Sequence, residues 1–237
     1  MNQLPAYLQN KAAGTSLAQT LVANLGAGSP PFLSIMGNRF TLIDAAGEEI
    51  AVSTYDPKIG PYVDCCIIDA LERTSKIYYD KPFDPGANQY EPPACFSDNG
   101  IAPSRNAGKP QSRTCAECQW AAWGSKTSTV SGKAVKACND IQKVAFLYPG
   151  YEMPFLLRVP PNSRTGFRAY VNKFIGQPMD ISDVMTRITF EPGGIGTLHF
   201  SAIGWLDEKT VLPQRDKLLA AKATDAMIGR TDLPREG

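Results

Sequence analysis

The chain beyond residue 30 is a series of short apolar runs separated by turn residues, a pattern typical of β-strands. Gly37-Asn38 and Ala46-Gly47 divide the first three runs, which predicts a β-meander. Two longer runs follow, rich in β-branched and aromatic residues. The predicted strands of this half are 32–36, 39–43, 49–53, 62–71 and 75–79.

The second half resumes the same pattern and adds two helices. Its predicted strands are 143–148, 154–159, 183–191 and 197–206. Between the second and third of these, Pro160-Pro161-Asn162-Ser163 predicts the start of a helix with Ser163 as its N-cap. Phe167 and Tyr170 lie on the apolar face of that helix. A charged helix is expected at about 213–228.

Short strands around one interruption, with a helix before the last hairpin, predict a mainly β fold with an OB-like barrel. A β-sandwich is the alternative. Periodicity is lost from about 80 to 140, so the barrel, residues 31–212, is expected to contain an insert there. Residues 1–30 are expected to form an arm or linker with one short helix, and residues 213–237 a C-terminal helix and tail.

Four cysteines in the insert predict a metal site. Nineteen residues separate Cys95 from the pair Cys115 and Cys118, and nineteen more separate that pair from Cys138. Four thiolates satisfy tetrahedral zinc, and the ion orders loops that bury too little apolar surface to order themselves. We therefore expect one structural Zn²⁺, with reduced, metal-free thiols as the alternative.

The sequence does not predict an enzyme. Four thiolates leave zinc no open position for water. A nucleobase deaminase would need a glutamate two residues after Cys95, where Ser97 stands. His199, the one histidine, and Cys65-Cys66 lie in strand patterns, so we interpret them as structural. A nuclease is a weaker alternative, because no acidic cluster beside a lysine supports it.

The charge is unevenly distributed. The formal net charge is +1, yet residues 101–173 hold eleven Lys and Arg against three Asp and Glu. Aromatic residues are interleaved with these cations just before and inside the insert. Rings stack on any base and cations hold phosphates, so the pattern predicts nucleic-acid binding without sequence choice. The candidate contacts are Tyr78, Tyr79, Phe83, Tyr90, Trp120, Trp123, Lys109, Arg113, Lys126, Lys133, Lys136, Arg158, Arg164 and Arg168.

Several of these rings have an alternative role in a small core around the zinc loops. We favour that role for Phe96 and Trp120, which are close in sequence to the cysteines. The binding and core interpretations are equal for Tyr78, Tyr79 and Trp123. The three arginines beyond residue 157 either line the same groove or are solvated surface charges.

With these residues in place, the chain resembles a family of tailed-phage single-stranded DNA-binding proteins from about Pro31 to Leu206. The resemblance is carried by PPFLSIMGNRFTLIDAAGEEI, IYYDKPFDPGANQYEPPACFSDNGIAPS, CAECQWAAWGS, SGKAVKAC and LLRVPPNSRTGFRAYV. It implies an OB-like core with a zinc-binding insert and no enzymatic activity. It also implies that the metal ligands are Cys95, Cys115, Cys118 and Cys138.

The expected function is coating of single-stranded DNA during phage DNA replication or recombination, in the cytoplasm of the infected bacterial host. Replication proteins are candidate further partners. The alternative is a zinc-stabilised interaction module that docks on a host or viral polymerase. No membrane association is expected, because no run approaches the roughly 20 apolar residues of a membrane span.

Overall fold

The computed structural model describes residues 30–50, 54–81, 92–129 and 132–230. The predicted N-terminal arm, the C-terminal tail beyond residue 230, and the candidate contacts Phe83 and Tyr90 lie outside these residues. Within them the fold is mainly β, which confirms the predicted class. No helix in these ranges is long and apolar enough to cross a membrane.

The described residues form thirteen strands and three α-helices. The strands are β1 (Phe32–Met36), β2 (Arg39–Ile43), β3 (Glu49–Ile50), β4 (Tyr55–Asp56), β5 (Gly60–Ala70), β6 (Ser75–Tyr78), β7 (Cys95–Ser97), β8 (Lys126–Thr127), β9 (Ala134–Val135), β10 (Cys138–Leu147), β11 (Phe155–Val159), β12 (Val184–Phe190) and β13 (Leu198–Trp205). The helices are α1 (Arg164–Val171), α2 (Val211–Ala220) and α3 (Asp225–Ile228). Short 3-10 turns occupy Gln119–Ala121, Pro161–Ser163, Asn172–Phe174 and Ile181–Asp183.

Eleven strands belong to one sheet, whose main path runs β13-β12-β5-β10-β11-β1-β2-β3. Pairing along the path is antiparallel except between β1 and β11. The sheet curls into a half-barrel rather than splitting into the two facing sheets of a sandwich. Its ends approach each other, because Phe40 stacks on Phe190 at 4.2 Å and Gly196 N donates to Asn38 Oδ1 at 3.1 Å.

The concave face of the half-barrel holds the main core. Phe146 and Phe155 are fully buried there and stack at 5.8 Å between ring centroids. Helix α1 covers this face with Phe167 and Tyr170, as the spacing of its apolar residues predicts. The Tyr170 hydroxyl lies 2.7 Å from Thr186 Oγ1, which satisfies a buried polar group.

Ser163 precedes α1 but does not cap it through its side chain. Its hydroxyl instead accepts a hydrogen bond from the backbone N–H of Leu198 at 2.8 Å. The predicted N-cap interaction is therefore replaced by one that ties the start of α1 to the edge strand β13.

The convex face is covered by the C-terminal helices. Ile228 of α3 is fully buried against Cys66, Leu71 and Leu156 of the second core cluster. The single helix predicted at 213–228 is two helices, because Lys222 adopts a left-handed φ of 50° that ends the helical path. This turn is what lets α3 reach the sheet.

Candidate metal centre and nucleic-acid interface

Two of the four cysteines lie on strands that flank β6. Register pairs Tyr78 with Cys138 of β10 on one side and with Cys95 of β7 on the other. Directly paired residues in antiparallel strands point to the same face, so Cys95 and Cys138 share a face with Tyr78. Strand β10 begins at Cys138, within the stretch where the sequence pattern predicted a loop.

The other two cysteines come from a loop that lies over this face. The backbone N–H of Cys115 donates to the Ile101 carbonyl at 2.7 Å, and Cys118 immediately precedes the 3-10 turn that contains Trp120. All four cysteines line one small cavity of about 20 Å³. A cavity of that size holds one guest of roughly the size of a water molecule. We call residues 75–81, 92–129 and 132–140 the cysteine lobe.

A third core cluster stabilises this lobe around the cysteines. Tyr78 is only 7% exposed and stacks on Trp120, with ring centroids 5.3 Å apart and planes 18° apart. Trp120 Nε1 donates to Gln111 Oε1 at 3.1 Å, and Phe96 packs against the same cluster. Tyr78 and Trp120 thus fill the lobe core, the role that the sequence left open for Tyr78 and favoured for Trp120.

The thiols are close enough to influence one another. Burial raises the pKa of Cys138 to about 11; the ammonium of Lys76 acts in the opposite direction, while the other three cysteines raise the pKa further. Burial likewise raises the pKa of Cys115, opposed by a hydrogen bond with Ser97 and by Lys76. The cavity is therefore surrounded by mutually interacting sulfurs that lie near the ammonium of Lys76.

The residues around this cavity fit zinc as a donor set. Among the residues that the structure describes, no preformed group of three or more His, Cys, Asp or Glu that could hold a metal ion is found. Four thiolates around a space for one ion are the composition of a structural zinc site.

The surface of the cysteine lobe carries the exposed candidates. Trp123 is 74% exposed and Tyr79 is 39% exposed. Lys126 pairs in register with Val135 in the β8–β9 hairpin, three residues after Trp123. Lys133 and Arg113 are also exposed.

The predicted cations Lys109 and Lys136 are engaged by carboxylates. Lys109 Nζ lies 2.9 Å from Asp80, and Lys136 Nζ lies 3.0 Å from Asp140. Their positive charge is partly neutralised, so they attract a polyanion less than an unpaired cation would.

The three arginines do not share one groove. Arg164 and Arg168, one turn apart on α1, line a cleft of about 550 Å³ between α1 and β5. Arg164 Nη2 donates to Thr74 Oγ1 at 2.8 Å. The cleft also carries the carboxylates Asp69, Glu72 and Asp180. Arg158 instead lies 5.5 Å over the Phe32 ring, among residues of the convex face.

Sequence reasoning missed Lys76 and Asp140. Lys76 lines the cysteine cavity, and its Nζ lies 2.6 Å from Asp140. The alternation of side chains along a strand could have identified both residues, because it puts Lys76 on the same face as Tyr78 and Asp140 on the same face as Cys138.

The residues interpreted as structural are placed accordingly. His199 is an exposed residue of β13 whose Nδ1 lies 3.1 Å from Glu191, and Cys65 and Cys66 are both fully buried in β5.

Searches of protein-family models, of characterised proteins and of solved structures found no match to this chain.

Proposed function

We propose that this protein binds single-stranded DNA with little sequence preference, through the outer surface of the cysteine lobe. The observation that carries the proposal is Trp123, which projects a 74% exposed indole from a lobe that also exposes Arg113, Lys126 and Lys133. Base stacking uses an exposed ring of this kind without sequence choice, and nearby cations hold the phosphates. Tyr79 supplies a second, partly exposed ring.

A zinc ion held by Cys95, Cys115, Cys118 and Cys138 is part of the proposal. When bound, it would supply structural cross-linking of the loops rather than reactivity, because four thiolates leave no open position. The protein residues then hold Trp123 and the nearby cations in fixed relative positions. Pre-ordered contacts bind more tightly, because less conformational entropy is lost on association.

The curled sheet, with α1 covering its concave face, is compatible with an OB-like barrel, and we propose that identity for it. We also propose that the protein has no enzymatic activity. It would coat exposed single strands of DNA during phage DNA replication or recombination inside the bacterial host. It rests on the resemblance described above together with the exposed ring and cations.

The test is binding of a labelled oligothymidine by the purified chain, measured by fluorescence anisotropy over a salt series. Bound cations are released as Lys and Arg contact phosphates, so the logarithm of affinity should fall with the logarithm of salt by about 0.7 per contact. An RNA oligonucleotide and a duplex serve as comparison ligands. Absent or salt-insensitive binding refutes the proposal, and a protein that binds a polymerase but no bare oligonucleotide is an interaction module instead.

Matched charge reversals locate the surface. Arg113→Glu with Lys126→Glu should weaken binding and flatten the salt dependence, because both side chains lie on the exposed lobe. Lys217→Glu with Lys222→Glu changes the net charge equally at exposed positions of the C-terminal region, one on α2 and one in the turn that follows it. Equal losses for the two pairs would show a net-charge effect and refute the assignment of the surface.

A further inference from the structure

Among the described residues that line the cysteine cavity, Lys76 is the one lysine. Strand β6 directs its side chain to the face that carries Tyr78, because alternate residues of a strand share a face. Its side chain is 16% exposed, so the ammonium lies largely away from bulk water. A buried cation of this kind needs a compensating charge.

Asp140 holds this ammonium in place from the neighbouring strand. Register pairs Lys76 directly with Asp140, and Nζ lies 2.6 Å from Oδ1. The second carboxylate oxygen accepts from Lys136 Nζ at 3.0 Å. Two lysines therefore share one aspartate, and the trio has a net positive charge at the edge of the cavity.

We propose that Lys76 is a positioning residue for the metal centre. The ammonium of Lys76 offsets the negative charge that four thiolates retain around a divalent ion. This inference rests on the zinc ion of the proposed function. Four thiolates carry more charge than one zinc ion neutralises, and a net charge in a poorly solvated site is costly unless an opposite charge is near. Residues beside the direct ligands tune metal affinity in this way.

The test compares zinc affinity in four proteins by competition with a chromophoric chelator. Lys76→Met should lower affinity by about 10- to 100-fold. Lys136→Met is the matched control, because Lys136 contacts the same carboxylate but is not among the residues that line the described cavity. The zinc affinity of this variant should stay close to that of the unmodified protein. In each variant Asp140 keeps one lysine partner. Lys76→Arg should restore most of the affinity, because it restores the charge.

Cobalt substitution gives a readout that general destabilisation would not move. The thiolate-to-cobalt charge-transfer absorption should shift in Lys76→Met and keep its position in Lys136→Met, because Lys76 lines the described cysteine cavity and Lys136 does not. If Lys76→Met lacks a cooperative thermal transition, Lys76→Gln replaces it with the same expectation.

The outcomes separate the two proposals. An unmodified protein that contains no zinc refutes the metal centre itself. Zinc in the unmodified protein, with equal affinities and spectra for Lys76→Met and Lys136→Met, overturns the role of Lys76 and leaves the metal centre standing.

Discussion

Replacing Trp123 by alanine tests DNA binding without disturbing the fold. The side chain is 74% exposed, so its truncation removes little packing, and the free energy of unfolding should change by no more than about 0.5 kcal/mol. Loss of one stacking ring should cost about 1 to 3 kcal/mol of binding free energy. That is a drop in affinity of about 5- to 150-fold.

Replacing Trp120, only three residues earlier, should instead lower the free energy of unfolding. It stacks on Tyr78 and donates to Gln111, so Trp120→Ala removes a core ring and leaves an amide without its partner. Truncating a core aromatic residue costs about 3 to 5 kcal/mol, and the partial exposure of Trp120 puts its cost toward the lower end. Unfolding of the cysteine lobe, rather than loss of a contact, would then reduce binding.

The assay combines thermal unfolding with oligothymidine anisotropy for each variant. Trp205→Ala is the matched control, because Trp205 is 69% exposed but lies at the end of β13, outside the cysteine lobe. The reasoning is refuted if Trp123→Ala and Trp205→Ala bind equally well, or if Trp123→Ala unfolds at a markedly lower temperature than the unmodified protein.

The other predictions concern the metal and the C-terminal helices. Elemental analysis should find zinc lost in Cys95→Ala and retained in Cys66→Ala; equal zinc contents would contradict the ligand assignment. Ile228→Ala should lower the free energy of unfolding by about 2 to 5 kcal/mol in urea titrations, because Ile228 is fully buried; a negligible loss would mean that α3 is not docked. Burial opposes ionisation of Asp69, but hydrogen bonds from Arg230 and a threonine outweigh it and lower the pKa of Asp69. The stabilisation is therefore present above about pH 4 and lost as pH falls through the lowered pKa. Arg230→Met should cost about 1 to 3 kcal/mol at neutral pH and less in acid, and a pH-independent cost would contradict this.

The sequence by itself determined the elements whose signals are local. The strands predicted at 32–36 and 39–43 coincide with β1 and β2, because alternating residues and a Gly-Asn turn act over a few residues. Loss of periodicity predicted an insert at about 80–140, and the strands β7, β8 and β9 in the described part of that stretch span only two or three residues each. The grouping of four cysteines around one cavity also followed from their spacing in that stretch.

Only the tertiary structure decided which side chains in that stretch face inward. Tyr78 and Tyr79 are indistinguishable by composition, yet the register of β6 between β7 and β10 buries Tyr78 and leaves Tyr79 39% exposed. The same register brings Lys76 and Asp140 together across 64 positions of sequence. Register depends on pairing between distant segments, and a shift of one residue reverses every side chain, so local patterns do not contain it.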